Sequence, residues 1–234
     1  MTSRCAEEIL RPIIEAPPDR PFVVAQIGQS LDGRIATASG ESRWINGGSA
    51  LDHVHRLRAA VDAVVVGVGT VIADDPLLTV RRVAGPHPAR VVIDPHGRLP
   101  HNAKCLADDG VRCLVIRAGD MPPPEGVEVI RLGYGGRRDV LCPVEISRLL
   151  FQRGFRRLLV EGGALTISKF VEAGAVDRLH VLVAPVILGS GKPGLSLAPI
   201  RRLKDAMRPS AGVHVFEDGD VLFDCNLADC QRST

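Results

Sequence analysis

Apolar residues in this chain come in short, valine-rich blocks: Phe22 to Ile27, Val61 to Val66, Arg90 to Asp94, Val111 to Ile116, Arg157 to Val160 and Arg178 to Ala184. Each is too short for a helix and most are rich in β-branched residues, the pattern of a strand buried on both faces. Helical punctuation fills the gaps. Asn46 is placed to cap a helix running through Ala60. Pro143 opens a helix that Gly154 ends, and Ala164 to Ala173 is a second, stopped by Gly174. A further strand is expected at Val127 to Leu132, inside a Pro- and Gly-rich stretch from Ala118 to Asp139. Val213 to Glu217 and Val221 to Asn226 flank Asp218-Gly219-Asp220 and read as a terminal hairpin.

Parallel strands need crossover connections, so this alternation predicts an α/β fold: a mostly parallel central sheet, flanking helices and an antiparallel C-terminal hairpin at one edge. Gln29 to Trp44, with turn signals at Asp32-Gly33 and Ser39-Gly40, reads as a long loop, and Gly189 to Pro193 as a glycine-rich one. Residues 1–20 stand apart. Ala6 to Ile14 predicts a short helix interrupted by Pro12, and Ala16 to Pro21 a linker. The expected organisation is an arm (1–20), packed on the domain or on a partner subunit, followed by one domain (21–234).

Composition narrows the chemistry. The 234 residues carry a net charge of only +2, with Lys and Arg spread along the chain, so no basic tract points to nucleic acid. Aromatics make up 3%, too few for a base-stacking platform. No apolar run reaches the ~20 residues that span a bilayer, and the N-terminal segment lacks a signal-peptide core. None of the six cysteines forms a C-x-x-C pair, which predicts reduced thiols in a cytoplasmic protein and no metal site. His53 and His55, two apart on one helix, do not face together.

Two glycine turns follow strands: Gly67-Val68-Gly69-Thr70 and Glu161-Gly162-Gly163-Ala164. A helix start after a strand offers free N–H groups to phosphate, and glycine lets a ligand approach the backbone. Neither turn is a Rossmann or Walker motif, and each alone reads sooner as a structural turn, but two of them at strand ends point to a nucleotide-binding α/β sheet. Glu161 directly follows an apolar run, which places a carboxylate at the mouth of the sheet. It reads either as a helix-dipole partner or as an acceptor for the donors of a polar heterocycle. Arg58 and Arg81 suit a phosphate, or are solvated surface residues.

Several segments, taken in order, resemble one family. They are Gln29-Ser30-Leu31-Asp32-Gly33-Arg34-Ile35-Ala36-Thr37, Ser39 to Ile45, Val66 to Thr70, Ala73 to Arg81, Val91 to Asp94, Val160 to Gly163 and Ala184 to Gly191. Together they are similar to the C-terminal reductase domain of the riboflavin-specific deaminase/reductase, from about Pro21 to the last strand. The resemblance implies a dihydrofolate-reductase-like fold, a homodimer and NADPH as hydride donor. It implies a phosphorylated pyrimidine substrate, 5-amino-6-(5-phosphoribosylamino)uracil, reduced to the ribitylamino product. Position by position, Gly28, Trp44, Thr70, Asp74 and the loop Gly163-Ala164-Leu165-Thr166 to Lys169 would line the cofactor. Ser42, Arg58, Leu77, Arg81 and Glu161 would line the substrate, with Arg58 and Arg81 on its phosphate and Glu161 on the pyrimidine as the catalytic-site carboxylate. A cis peptide between Gly162 and Gly163 is also implied. Two positions depart from the family pattern. Gln26 stands where many members carry a substrate-facing lysine, and Pro95 where a serine is usual. Alternatives are a related reductase of another heterocycle, such as a pterin or a secondary-metabolite precursor, and a non-catalytic NADP-binding protein.

Overall fold

The computed structural model describes residues 3–43, 45–120, 122–133 and 141–231. Its centre is a nine-stranded sheet. In chain order its strands are β1 (Phe22–Ser30), β3 (Ala63–Gly67), β4 (Ala89–Ile93), β5 (Cys113–Arg117), β6 (Glu128–Arg131), β7 (Arg157–Val160), β8 (Arg178–Ala184), β10 (Ser210–Val215) and β11 (Val221–Asn226). In space they run β10-β11-β8-β1-β7-β3-β4-β5-β6. All pairs from β8 to β6 are parallel; β11 is antiparallel to β8 and β10 to β11. The expected α/β architecture, with its antiparallel edge, is what forms.

The two-residue period of the strands divides the core into two layers. Val23, Ala25 and Ile27 of β1, Val65 of β3 and Leu158 and Val160 of β7 face helices α4 (Pro143–Gln152) and α5 (Ala164–Glu172), where Ile146, Leu150, Ile167 and Phe170 are buried. Phe22 and Val24, Val64 and Val66, and Leu159 face the other way. They meet Ile13 of α1 (Ser3–Ile14), Leu57 of α2 (Gly48–Ala60), and Val68 and Val71 of α3 (Val68–Asp74). Burying one such leucine stabilises the fold by about 1.5–3 kcal/mol. The same period assigns the polar positions. Gln26 lies two residues beyond Val24, and Glu161 two beyond Leu159, so both point to the α2 side.

Several expectations are corrected. The stretch Gln29 to Trp44 is not wholly a loop: β2 (Arg34–Thr37) pairs antiparallel with β9 (Gly191–Pro193), inside the stretch expected to be a glycine-rich loop, as a separate two-stranded sheet. Asp32 holds that junction by accepting from Ser30 Oγ and the N–H groups of Leu188 and Gly189. Those bonds, the serine's first, lower its carboxyl to about 2. Pro12 does not interrupt α1, because Ile9 and Ile13 anchor the helix on both sides of it. The Gly162–Gly163 peptide is trans; Gly162 turns the chain in the left-handed region instead, at φ 83°.

Asn46 also does other work than capping. The N-cap of α2 is Gly47, with no side-chain cap of its own. The turn of the C-terminal hairpin does the job. Asp220 Oδ2 accepts from the Gly47 N–H at 2.8 Å, and Asp218 Oδ2 from the Ser49 N–H at 2.8 Å. Asn46 donates to the same Asp220 oxygen and to the Leu182 carbonyl.

Candidate active site

A cleft of about 960 Å³ opens along the carboxyl ends of β1, β3 and β7, between α2, α3 and the start of α5. Of the residues singled out in the sequence, Gln26, Gly28, Ser42, Arg58, Thr70, Asp74, Glu161, Gly163, Ala164 and Leu165 line it. Thr166 and Lys169 line a second cavity of about 350 Å³, which shares Gly69, Thr70, Gly163 and Leu165 with the first. Leu77 is half-buried between Pro76 and Leu78, two residues that do line the cleft. Arg81 is exposed and outside the lining. Trp44 and residues 134–140 of the Pro- and Gly-rich stretch lie outside the described residues.

Arg58 and Glu161 meet head-on. Arg58 Nε donates to Oε1 of the carboxylate at 2.8 Å and Nη2 to Oε2 at 2.6 Å. A third donor, Nη1, reaches the Thr79 carbonyl at 3.1 Å. Both side chains are about nine-tenths buried. Burial works against the Arg58 charge, but Glu161 beside it more than compensates and raises its pKa. A guanidinium has five N–H donors, so these three bonds leave two of them, and carboxylate lone pairs, free for a ligand on side chains that line the cleft.

The two glycine turns interlock. Thr70 Oγ1, from the first, accepts from the Gly163 N–H of the second at 2.8 Å. A Cβ on Gly162 would strike Thr70, and one on Gly67 would strike Thr166. Those two glycines therefore serve packing. Gly69 differs: nothing stands within 4 Å of where its Cβ would be, although it borders both cavities.

Other residues at the site escaped the sequence reading. Lys192 of β9 and Asn46 line the cleft, and His96 and Arg98 line the second cavity. The turn that carries Arg98 is held by buried Asp94, which accepts the N–H groups of Arg98 and Leu99 and pairs with Arg117. A basic residue beside a glycine turn, as at Gly189 to Lys192 and Gly97-Arg98, was the available signal. His53 and His55 indeed diverge. His53 Nε2 lies 3.0 Å from His180 Nδ1 under the sheet, while His55 Nδ1 accepts from the Arg81 N–H at 2.9 Å.

Among the described residues, no group of three or more His, Cys, Asp or Glu side chains is arranged to hold a metal ion, and no helix is long and apolar enough to cross a membrane.

The sequence profile of the RibD C-terminal domain matches residues 21–214. A Methanothermobacter thermautotrophicus protein named 2,5-diamino-6-ribosylamino-4(3H)-pyrimidinone 5′-phosphate reductase is 38% identical, over 81% of this chain and 90% of its own length. The Aquifex aeolicus riboflavin biosynthesis protein RibD is 36% identical, over 74% of this chain and 49% of its length. Among solved structures, a diaminohydroxyphosphoribosylaminopyrimidine deaminase/5-amino-6-(5-phosphoribosylamino)uracil reductase from Thermotoga maritima superposes with a TM-score of 0.74 at 30% identity, covering 88% of this chain and 56% of that one. The chain thus spans nearly all of the archaeal relative and about half the length of the RibD proteins it matches. With the profile match over most of its length and relatives above 30% identity, the chain belongs to the RibD C-terminal domain family.

Proposed function

We propose that this chain is an NADPH-dependent reductase of the riboflavin-biosynthesis type, converting 5-amino-6-(5-phosphoribosylamino)uracil to its ribitylamino product. The observation that carries this reading is the buried Arg58–Glu161 pair at the wall of a large cleft, next to the open turn at Gly69. It joins a recognition group for a polar heterocycle to a surface shaped for a dinucleotide.

The residues present fit a nicotinamide dinucleotide. Gly69 leaves its side of both cavities unobstructed, and the first turn of α5 beyond Gly163, whose own N–H goes to Thr70 Oγ1, borders the same cavities, where a helix N-terminus suits a diphosphate. In this reading Gly28, Thr70, Asp74 and Gly163 to Thr166 line the cofactor, joined by Trp44 on the strength of family resemblance. The second cavity, with Arg98 and Lys169 on its rim, takes the adenosine end, and its cations favour the 2′-phosphate of NADPH over NADH. When bound, the cofactor supplies the hydride that reduces C1′ of the ring-opened sugar.

The chain's own residues orient the pyrimidine and exclude water. Glu161, held by Arg58, accepts from the amino and ring N–H groups. Gln26 and Ser42 add neutral hydrogen bonds, Leu77 flanks the substrate, and Arg81, reinforced by the Arg58 charge, holds the phosphate. Residues 21–234 form the reductase unit and residues 1–20 an arm laid on it, with Ile9 and Ile13 buried. The thiols suit a reducing, cytoplasmic setting.

A homodimer completes the reading. On the sheet face turned away from α2, Val181 and Val183 of β8 continue into Phe223 of β11 and Val213 and Val215 of β10. Val215 is 72% exposed and Val213 56%, an apolar strip that a second copy would cover.

A second reading differs in one substituent. The Methanothermobacter relative is named for the 2-amino pyrimidinone rather than the uracil. The Gln26 carboxamide can donate or accept, so it suits either a carbonyl or an amino group. NADPH oxidation with each pyrimidine, and the mass of the product, tests both.

A further inference from the structure

Thr79, Val80 and Arg81 belong to no helix or strand, yet Leu78, Thr79 and Val80 are buried. Buried main chain must have hydrogen-bond partners, and this segment has no strand beside it to supply them. Side chains do so at three successive residues. Arg58 Nη1 donates to the Thr79 carbonyl at 3.1 Å. His87 Nδ1 accepts from the Val80 N–H at 3.2 Å. His55 Nδ1 accepts from the Arg81 N–H at 2.9 Å. The Arg81 guanidinium then turns back to Thr79 Oγ1 at 3.0 Å, so Arg58 and Arg81 both grip Thr79.

We infer that His55 is a positioning residue: its neutral imidazole, protonated on Nε2, fixes the main chain at Arg81 and so aims that guanidinium at the anionic end of the substrate. The inference rests on the proposed reading of Arg81 as the phosphate holder. It gives α2 two jobs at one end of the site. Arg58 orients Glu161, and His55, three residues earlier and on an adjacent face, orients Arg81. Only a neutral ring can do this, because a protonated Nδ1 would face the N–H as a second donor. Burial above all, and then the cations around it, keep it neutral. Burial first, then Arg58 from its own helix and Arg81 and Arg82 from the clamped segment, lower its pKa; Glu161 alone opposes them, and the result is about 4.

The test separates the clamp from the reaction. In the full-length protein, the Arg81 amide should exchange roughly tenfold faster in His55→Leu than in wild type, the effect of losing one hydrogen bond. His55→Asn, whose Oδ1 can replace Nδ1 as acceptor, should restore protection. In turnover, His55→Leu should raise KM for the phosphorylated pyrimidine by about five- to tenfold with little change in kcat, matching Arg81→Ala in direction. KM for the dephosphorylated ribosylamino compound should stay put in both variants. Unchanged exchange at Arg81, no rescue by asparagine, or an equal KM rise for both compounds would overturn the inference. Wild-type protein gives a check that needs no variant: imidazole nitrogen shifts must place the His55 proton on Nε2, and a proton on Nδ1 would refute the clamp. If wild type reduces neither pyrimidine, the functional reading fails while the exchange and nitrogen-shift results still decide the clamp.

Discussion

Arg58 and Glu161, 103 residues apart in the chain, form a two-pronged ion pair with contacts of 2.8 and 2.6 Å, both side chains nearly sealed from solvent. The pair is first a structural element. Removing one member of a buried pair strands the other charge, so Glu161→Ala should destabilise the fold by about 3–5 kcal/mol. Glu161→Gln keeps the shape and one acceptor but not the charge, so it should lose less stability than Glu161→Ala. It should nevertheless lose roughly 10- to 100-fold in kcat/KM, the worth of about 1.5–3 kcal/mol for a charged hydrogen bond to the substrate. Denaturant melts beside steady-state kinetics check this. A Gln variant with intact fold and wild-type kcat/KM would remove Glu161 from substrate recognition.

The hairpin turn caps α2 from a distance, through Asp220 on Gly47 and Asp218 on Ser49. Two carboxylates at a helix N-terminus satisfy orphan N–H groups and complement the dipole. Asp220→Ala should cost about 1–2 kcal/mol, measured as a shift in the urea midpoint at constant m-value. Because Ala50, Leu51, Val54 and Arg58 of that helix line the cleft, KM should rise too. A stable variant with unaltered midpoint would mean that the cap is replaceable by water.

Acid should weaken the fold before the carboxylates titrate. His53 is fully buried; burial, then His180 and Arg56, push its pKa well below the ordinary 6.5, with Asp224 opposing. His55 sits at about 4. Unfolded, both titrate near 6.5. Between that pH and about 4 the unfolded chain binds protons that the folded chain refuses, so stability is full above the unfolded value and falls as pH drops. The slope is at most about 1.4 kcal/mol per pH unit for each histidine. Asp224 adds loss at still lower pH. Burial raises its carboxyl, but hydrogen bonds and charge from His180 and Arg178 outweigh this and hold it low. Urea midpoints measured from pH 8 to pH 4 should drop mainly below 6.5; a flat profile would contradict the assignment.

The apolar strip on β10 and β11 predicts a dimer. Sedimentation should give twice the chain mass, and Val215→Lys combined with Phe223→Lys should give a folded monomer. Wild-type protein that is monomeric at micromolar concentration would rule this surface out as a self-interface.

Most of the sheet was legible in the sequence because valine-rich blocks such as Val64-Val65-Val66 carry their signal locally. So were α4 and α5, marked by Pro143, Gly154 and Gly174. What was not legible depends on partners far along the chain. The strand at Arg34–Thr37 exists because Gly191–Pro193 lies against it, and neither segment has an alternating pattern of its own. Asn46 looked like a cap because Asn before a helix usually is one; Asp218 and Asp220, some 170 residues away, do that work instead. At the site, the strand period could place Glu161 at the mouth of the sheet, and resemblance could put it in one substrate site with Arg58, though with Arg58 on the phosphate rather than on the carboxylate. Spacing alone could not say that the two bind each other, nor that His55 faces Arg81.

The most direct test of the account is to mix the full-length protein with NADPH and 5-amino-6-(5-phosphoribosylamino)uracil, follow loss of the nicotinamide absorbance and weigh the product. Parallel reactions contain the 2-amino pyrimidinone, or NADH in place of NADPH. The account predicts oxidation coupled to formation of the ribitylamino product, with kcat/KM at least about tenfold higher for NADPH than for NADH, the worth of one charged hydrogen bond to the 2′-phosphate. NADPH that binds without being consumed by either pyrimidine would contradict it and redirect the cleft to another heterocycle.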